Sequence, residues 1–96
     1  MRLQQKEIEA IVRTAQEIYG AGVKVYLFGS RTDDTKRGGD IDLLVRTETE
    51  KRGVLARIRF ISRLKQRIGE QKIDVIGDHE DNPVVREALQ KGILLV

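Results

Sequence analysis

The sequence contains no cysteine. That excludes a disulfide framework, thiolate catalysis and zinc held by thiolates. Aromatic residues make up only 4% of the chain, so no platform for stacking the bases of a single strand is evident. The one histidine, His79, sits in a polar GDHED stretch, where a solvated loop residue is a plainer account than a ligand or a base. Long apolar runs are missing too. The longest fall far short of the roughly 20 residues of a membrane span, and MRLQQKEIEAIVRTAQ at the N-terminus lacks the continuous apolar segment of a secretory signal. A cytoplasmic protein with no membrane partner is the resulting expectation. Neither charge sign dominates: 18 Lys+Arg stand against 15 Asp+Glu, for a formal charge of +3 and a pI of about 9.4. Such a mild excess speaks for a solvated charged surface rather than for direct nucleic-acid binding. No Gly-Lys-Ser/Thr phosphate loop and no G-x-G-x-x-G loop is present. Without repeats, low-complexity tracts or linkers, residues 1–96 read as a single domain.

Hydrophobic periodicity divides the chain into seven elements. Ile8, Ile11, Val12, Ala15, Ile18 and Tyr19 recur at helical spacing, which predicts a helix over Leu3–Tyr19 stopped by Gly20 and Gly22. VKVYLF, residues 23–28, alternates as a strand does. A polar loop from Arg31 to Gly39 follows, and DIDLLVR, residues 40–46, is a second strand. Val54, Ile58, Ile61 and Ile68, widened by Leu55 and Leu64, mark a helix over 54–68 ended by Gly69. KIDVI, residues 72–76, is a third strand. Asn82-Pro83 resembles a helix cap followed by proline in the first turn, opening a helix over 83–91. GILLV, residues 92–96, is a short strand or a packed tail. The order α-β-β-α-β-α-β implies an α+β fold: a small mixed sheet with helices packed on one face and a site on the face left open.

The chemistry concentrates in LFGSRTDDTKRGGDIDLLV, residues 27–45. Side chains alternate along a strand, so Ile41, Leu43 and Val45 supply the core while Asp40, Asp42 and Leu44 share the other face. The two carboxylates then lie about 6–7 Å apart at the backbone. They can converge on one cation, or on a pair about 3.5–4 Å apart. Without a cation the pair is unfavourable, because close like charges raise each other's pKa. Hard oxygen donors with open positions suit magnesium, which completes its shell from water and substrate phosphates. In KIDVI, Ile73 and Val75 face the core. Asp74 therefore joins the two acids if the strands are neighbours in register, where it could hold a second metal and take a proton from an attacking hydroxyl. Gly29 lets a phosphate approach the backbone, Ser30 and the following N–H groups can donate to it, and Arg31 adds positive charge.

Taken singly, each part has an ordinary explanation. Gly-Ser is a common turn, Asp-x-Asp is often a solvated strand face, and Asp74 alone reads as an exposed residue. Asp33 and Asp34 read as loop residues. Lys36-Arg37 reads as a solvated pair, though one within reach of phosphate. The combination on three successive strands carries the argument. It resembles the signature of the nucleotidyltransferase superfamily that includes DNA polymerase β: Gly29-Ser30-Arg31, a loop, Asp40-Ile41-Asp42-Leu43, then Lys72-Ile73-Asp74-Val75. Within it, length and element order resemble the minimal nucleotidyltransferases (MNT), the small partners of HEPN-domain toxins in prokaryotic toxin–antitoxin pairs. Two departures stand out. Gly39 precedes the first Asp where relatives often have Ser, and the loop 31–39 is slightly short. Neither removes a metal ligand, and both bear on nucleotide affinity.

The resemblance implies a polymerase β-like palm and magnesium-dependent transfer of NMP, AMP from ATP above all, to a hydroxyl. In its terms Asp40, Asp42 and Asp74 are the catalytic and metal-binding residues for two magnesium ions, and Gly29, Ser30 and Arg31 bind the nucleotide. It further implies an antitoxin that adenylylates a HEPN toxin. So short a chain also leads us to expect a large acceptor that brings its own surface. A non-catalytic module that silences a partner by docking is the rival reading. A small-molecule nucleotidyltransferase is a third, and a homo-oligomer remains open. Tyr26 and Phe28 are assigned either to the open sheet face or to an interface.

Overall fold

A computed structural model describes residues 3–29, 40–47, 53–77 and 83–96 of the chain. The first helix, α1 (Gln5–Tyr19), starts two residues later than the periodicity suggests. Gln4 stays extended and donates its N–H to Glu7 Oε1 at 3.0 Å, so it caps the helix instead of joining it. Glu7 is buried for a second reason: its other oxygen accepts from Gln71 Nε2 at 2.9 Å, tying the start of α1 to the segment before the third strand.

The strands are β1 (Lys24–Phe28), β2 (Ile41–Arg46), β3 (Ile73–Gly77) and β4 (Ile93–Leu94). They form one mixed sheet in the order β3-β2-β1-β4. β1 runs antiparallel to both of its neighbours, and β2 and β3 are parallel. A parallel pair needs a crossover, and α2 (Val54–Ile68) supplies it. The tail resolves as a strand: Leu94 and Ile93 pair with Tyr26 and Leu27.

Val25, Leu27, Ile41, Leu43, Val45, Ile73 and Val75 point to one face. Ile11, Ala15 and Tyr19 of α1 and Phe60 and Leu64 of α2 close over them, with Tyr19 and Phe60 edge to face at 5.6 Å. The two helices are also pinned through polar groups. Thr14 is fully buried; its hydroxyl donates to the Ala10 carbonyl and accepts from Arg67 Nη1 at 2.9 Å. Arg67 then grips both oxygens of Glu17, at 2.7 and 3.0 Å.

The third helix, α3 (Pro83–Lys91), departs from the expectation that all helices share one face. Val85 and Ala88 pack on Leu44, with Tyr26, Phe28 and Ile76 around them, and that is the opposite side of the sheet. The reason lies in Leu44. It shares a face with the carboxylates yet is fully buried, and a leucine there needs an apolar cover. Tyr26 and Phe28 are thereby accounted for as half-buried neighbours of α3. Among the described residues, the face expected to be open is covered by α3 at Leu44. No helix among the described residues is long and apolar enough to cross a membrane.

Leu44→Ala should uncouple α3 from the sheet. A loss of about 2–5 kcal/mol is expected for a fully buried leucine, read as a lowered urea midpoint. A change within error would show that α3 does not depend on this contact.

Candidate functional site

The parallel register of β2 and β3 sets the site. It pairs Asp42 directly with Asp74, flanked by Ile41↔Ile73 and Leu43↔Val75. The apolar partners point into the core, so the two carboxylates have no choice of side. Asp42 is half-buried and Asp74 exposed. Burial pushes Asp42 above the usual carboxylate range. The negative charge of Asp74, that of Asp40 and a hydrogen bond to Asp74 push it further the same way, and Lys72 pulls it partly back. Asp42 therefore holds a proton more readily than an isolated aspartate would.

Asp40 lies one step away. The strand begins at Ile41, not at residue 40, because the Ile41 N–H donates to the Lys72 carbonyl at 2.9 Å. That bond brings Lys72 alongside, and its Nζ sits 3.5 Å from Asp40 Oδ2, both side chains well exposed. The structure thus joins Asp42 to Asp74 closely and sets Asp40 beside them on its own counter-ion. Among the described residues no three acids come together as a ready-made metal cage. The donor set still suits a divalent cation: hard oxygens in register, half-exposed, and mutually repelling until a positive charge arrives.

Gly29 completes the described part of the site. It follows the Phe28↔Asp42 pairing at the end of β1 and has φ +79°. A Cβ there would run into the Asp42 carboxylate. Backbone conformation and space both demand glycine, and the bare backbone is left beside the carboxylates where a phosphate can approach. Ser30 and Arg31, with Asp33, Asp34, Lys36, Arg37, Gly38, Gly39, His79 and Asn82, lie outside the described residues.

Lys72 is the residue that sequence reasoning passed over. Its signal was available: it stands two positions before Asp74, the spacing that puts side chains on one side of an extended chain. A separate small cavity lies by the far end of β2 and β3, lined by Tyr19, Val45, Arg57 and Val75 among others. Its described lining contains no carboxylate, so the chemistry does not point there.

A family model described as "Polymerase beta, Nucleotidyltransferase" matches residues 6–96. The chain belongs to this family. It is a nucleotidyltransferase domain, of a kind that moves a nucleoside monophosphate from a nucleoside triphosphate with the help of a divalent metal. No curated protein matches the chain.

Two outcomes follow from the electrostatics. Asp42 has a folded-state pKa above 3.8, so in the window above that value the folded chain keeps a proton that the unfolded chain releases. Stability must fall as pH rises through the window and stay lowered above it. Asp42→Asn removes this loss. In the metal-free protein it should raise Tm by several degrees at neutral pH, with the gain vanishing as pH falls toward the ordinary aspartate value. Thermal melts in chelator across pH check it, and an equal gain at all pH values would contradict the account. Lys72→Gln should move the Asp42 carboxyl titration, followed by carbon NMR, further upward, because it removes a positive charge that lowers it.

Proposed function

We propose that this chain is a magnesium-dependent nucleotidyltransferase that moves AMP from ATP onto a hydroxyl of a protein acceptor, as a minimal nucleotidyltransferase acting on a HEPN-domain toxin. The observation that carries the chemistry is the in-register Asp42–Asp74 pair, with Asp40 and the bare backbone of Gly29 beside it. The acceptor and the antitoxin role rest on the likeness of the whole element order to the minimal members of the family.

In this reading Asp40 and Asp42 hold magnesium, with Asp74 completing the set. Bound there, magnesium neutralises charge on the α-phosphate and on the departing pyrophosphate. The remaining work falls to the chain. Gly29 keeps the phosphate close to the backbone, and Ser30 and Arg31 hold the triphosphate in line. Asp74, the more exposed acid of the pair, accepts the proton of the acceptor hydroxyl. That oxygen forms a bond to the α-phosphorus as the bond from phosphorus to the bridging oxygen breaks, and pyrophosphate leaves. Leu44 and α3 occupy the part of the carboxylate face around Tyr26, Phe28 and Ile76, so the acceptor approaches the acids from elsewhere on that face.

The test is transfer of label from α-labelled ATP, with magnesium, to a HEPN-domain protein encoded beside this chain. Label should appear in the acceptor. Asp42→Asn should abolish it, and Asp74→Asn should slow it about a hundredfold or more. A wild-type chain that neutralises the toxin without transferring label would replace the enzyme with a docking module.

A further inference from the structure

One surface of the molecule is left over by this account. On α2, Phe60 and Leu64 turn into the core, while Val54, Leu55 and Ile58 are 68%, 77% and 55% exposed. These three form the N-terminal part of the helix's outer side. Leu55, Arg59 and Arg63 follow one another at four-residue spacing and so make one ridge. The helix carries Arg57, Arg59, Arg63, Lys65 and Arg67 and not one acidic residue. A chain with a net charge of only +3 has therefore gathered five cations on a single 15-residue helix. Arg63 and Arg67 turn toward Glu17 of α1, whereas Arg59 has no ion-pair partner among the described residues.

We infer that the outer side of α2 is a docking surface for an acidic, amphipathic protein segment, with Val54, Leu55 and Ile58 taking its apolar side chains and Arg59 its carboxylates. Charge complementarity selects this occupant. A second copy meeting α2 on α2 would set arginine against arginine. The other described helices offer no acidic face: α1 alternates Lys6, Glu9, Arg13 and Glu17, and α3 carries Arg86, Glu87 and Lys91. A nucleic acid would match the arginines but would leave three large apolar side chains against phosphates and water. A membrane would need a broader apolar face, and that face of α2 is already spent on the core. Apolar centre with arginine at its rim is the composition of a protein interface.

Placement adds a consequence. α2 covers the face of the sheet opposite Asp42 and Asp74. A partner held there leaves the carboxylates accessible, so docking is separate from nucleotide transfer and survives its loss.

The experiment uses the nitrogen-labelled chain without nucleotide and, as probe, a synthetic helical peptide with leucines at helical spacing flanked by glutamates. Saturable shifts confined to the amides of residues 54–63 and weakened by salt are expected. Leu55→Asp and Ile58→Asp, both at exposed positions, should each weaken binding about tenfold or more, and Arg59→Glu should weaken it while steepening no salt dependence. Asp42→Asn should bind as wild type, which separates this inference from the catalytic reading. The inference is overturned if the peptide shifts no α2 amide, if Leu55→Asp binds unchanged, if the α2 amides shift with protein concentration alone, or if anionic vesicles or an RNA oligomer perturb them where the peptide does not.

Discussion

Two like charges held in adjacent strands are the constraint around which this small fold is arranged. Parallel pairing of β2 and β3 sets Asp42 beside Asp74, and nothing local favours that. The force comes from the other side of the sheet. Ile41, Leu43, Val45, Ile73 and Val75 are buried beneath α1 and α2, and a slip of one residue would turn all of them to solvent. Each buried aliphatic side chain contributes about 1.5–3 kcal/mol. A carboxylate pair near solvent repels by far less than five such terms. The core wins, the acids stay together, and the repulsion remains as an affinity for positive charge.

The surroundings of the pair show how that affinity is kept in bounds. Lys72 sits against Asp40 and draws Asp42 down, while burial and Asp74 push Asp42 up. The lysine at the rim is easily displaced: the ion pair is exposed, and surface pairs are worth little. Gly29 belongs to the same surroundings. A side chain there would meet the Asp42 carboxylate, so the acid and the glycine beside it constrain one another.

Much of this was legible in the amino-acid order because the decisive signals are local. DIDLLV alternates with period two, and that alone separates Asp42 and Leu44 from Ile41, Leu43 and Val45. The residues over 54–68 have the length and period of a helix, and a helix between two strands implies their parallel pairing. That the third acid joins the other two follows from the same alternation in KIDVI. Other features depend on contacts that periodicity does not carry. Residue 40 reads as strand from its pattern, but the ladder starts where Ile41 finds the Lys72 carbonyl, which frees Asp40 to meet Lys72. The side of the sheet taken by α3 is equally hidden in a helical stripe, since Val85 and Ala88 would suit either face. Leu44 held the answer: an apolar residue in line with the carboxylates calls for a cover on their side.

That cover keeps an apolar cluster dry on the carboxylate face: with α3 absent, Leu44, Tyr26, Phe28 and Ile76 would be wet. Beside that cluster Asp42 is half-buried and Asp74 is exposed. The two acids, equivalent in register, become unequal in environment. Burial weakens the solvation of the Asp42 carboxylate and raises its pKa, while Asp74 keeps contact with solvent. The inequality of the paired carboxylates therefore comes from burial and not from register, which treats them alike.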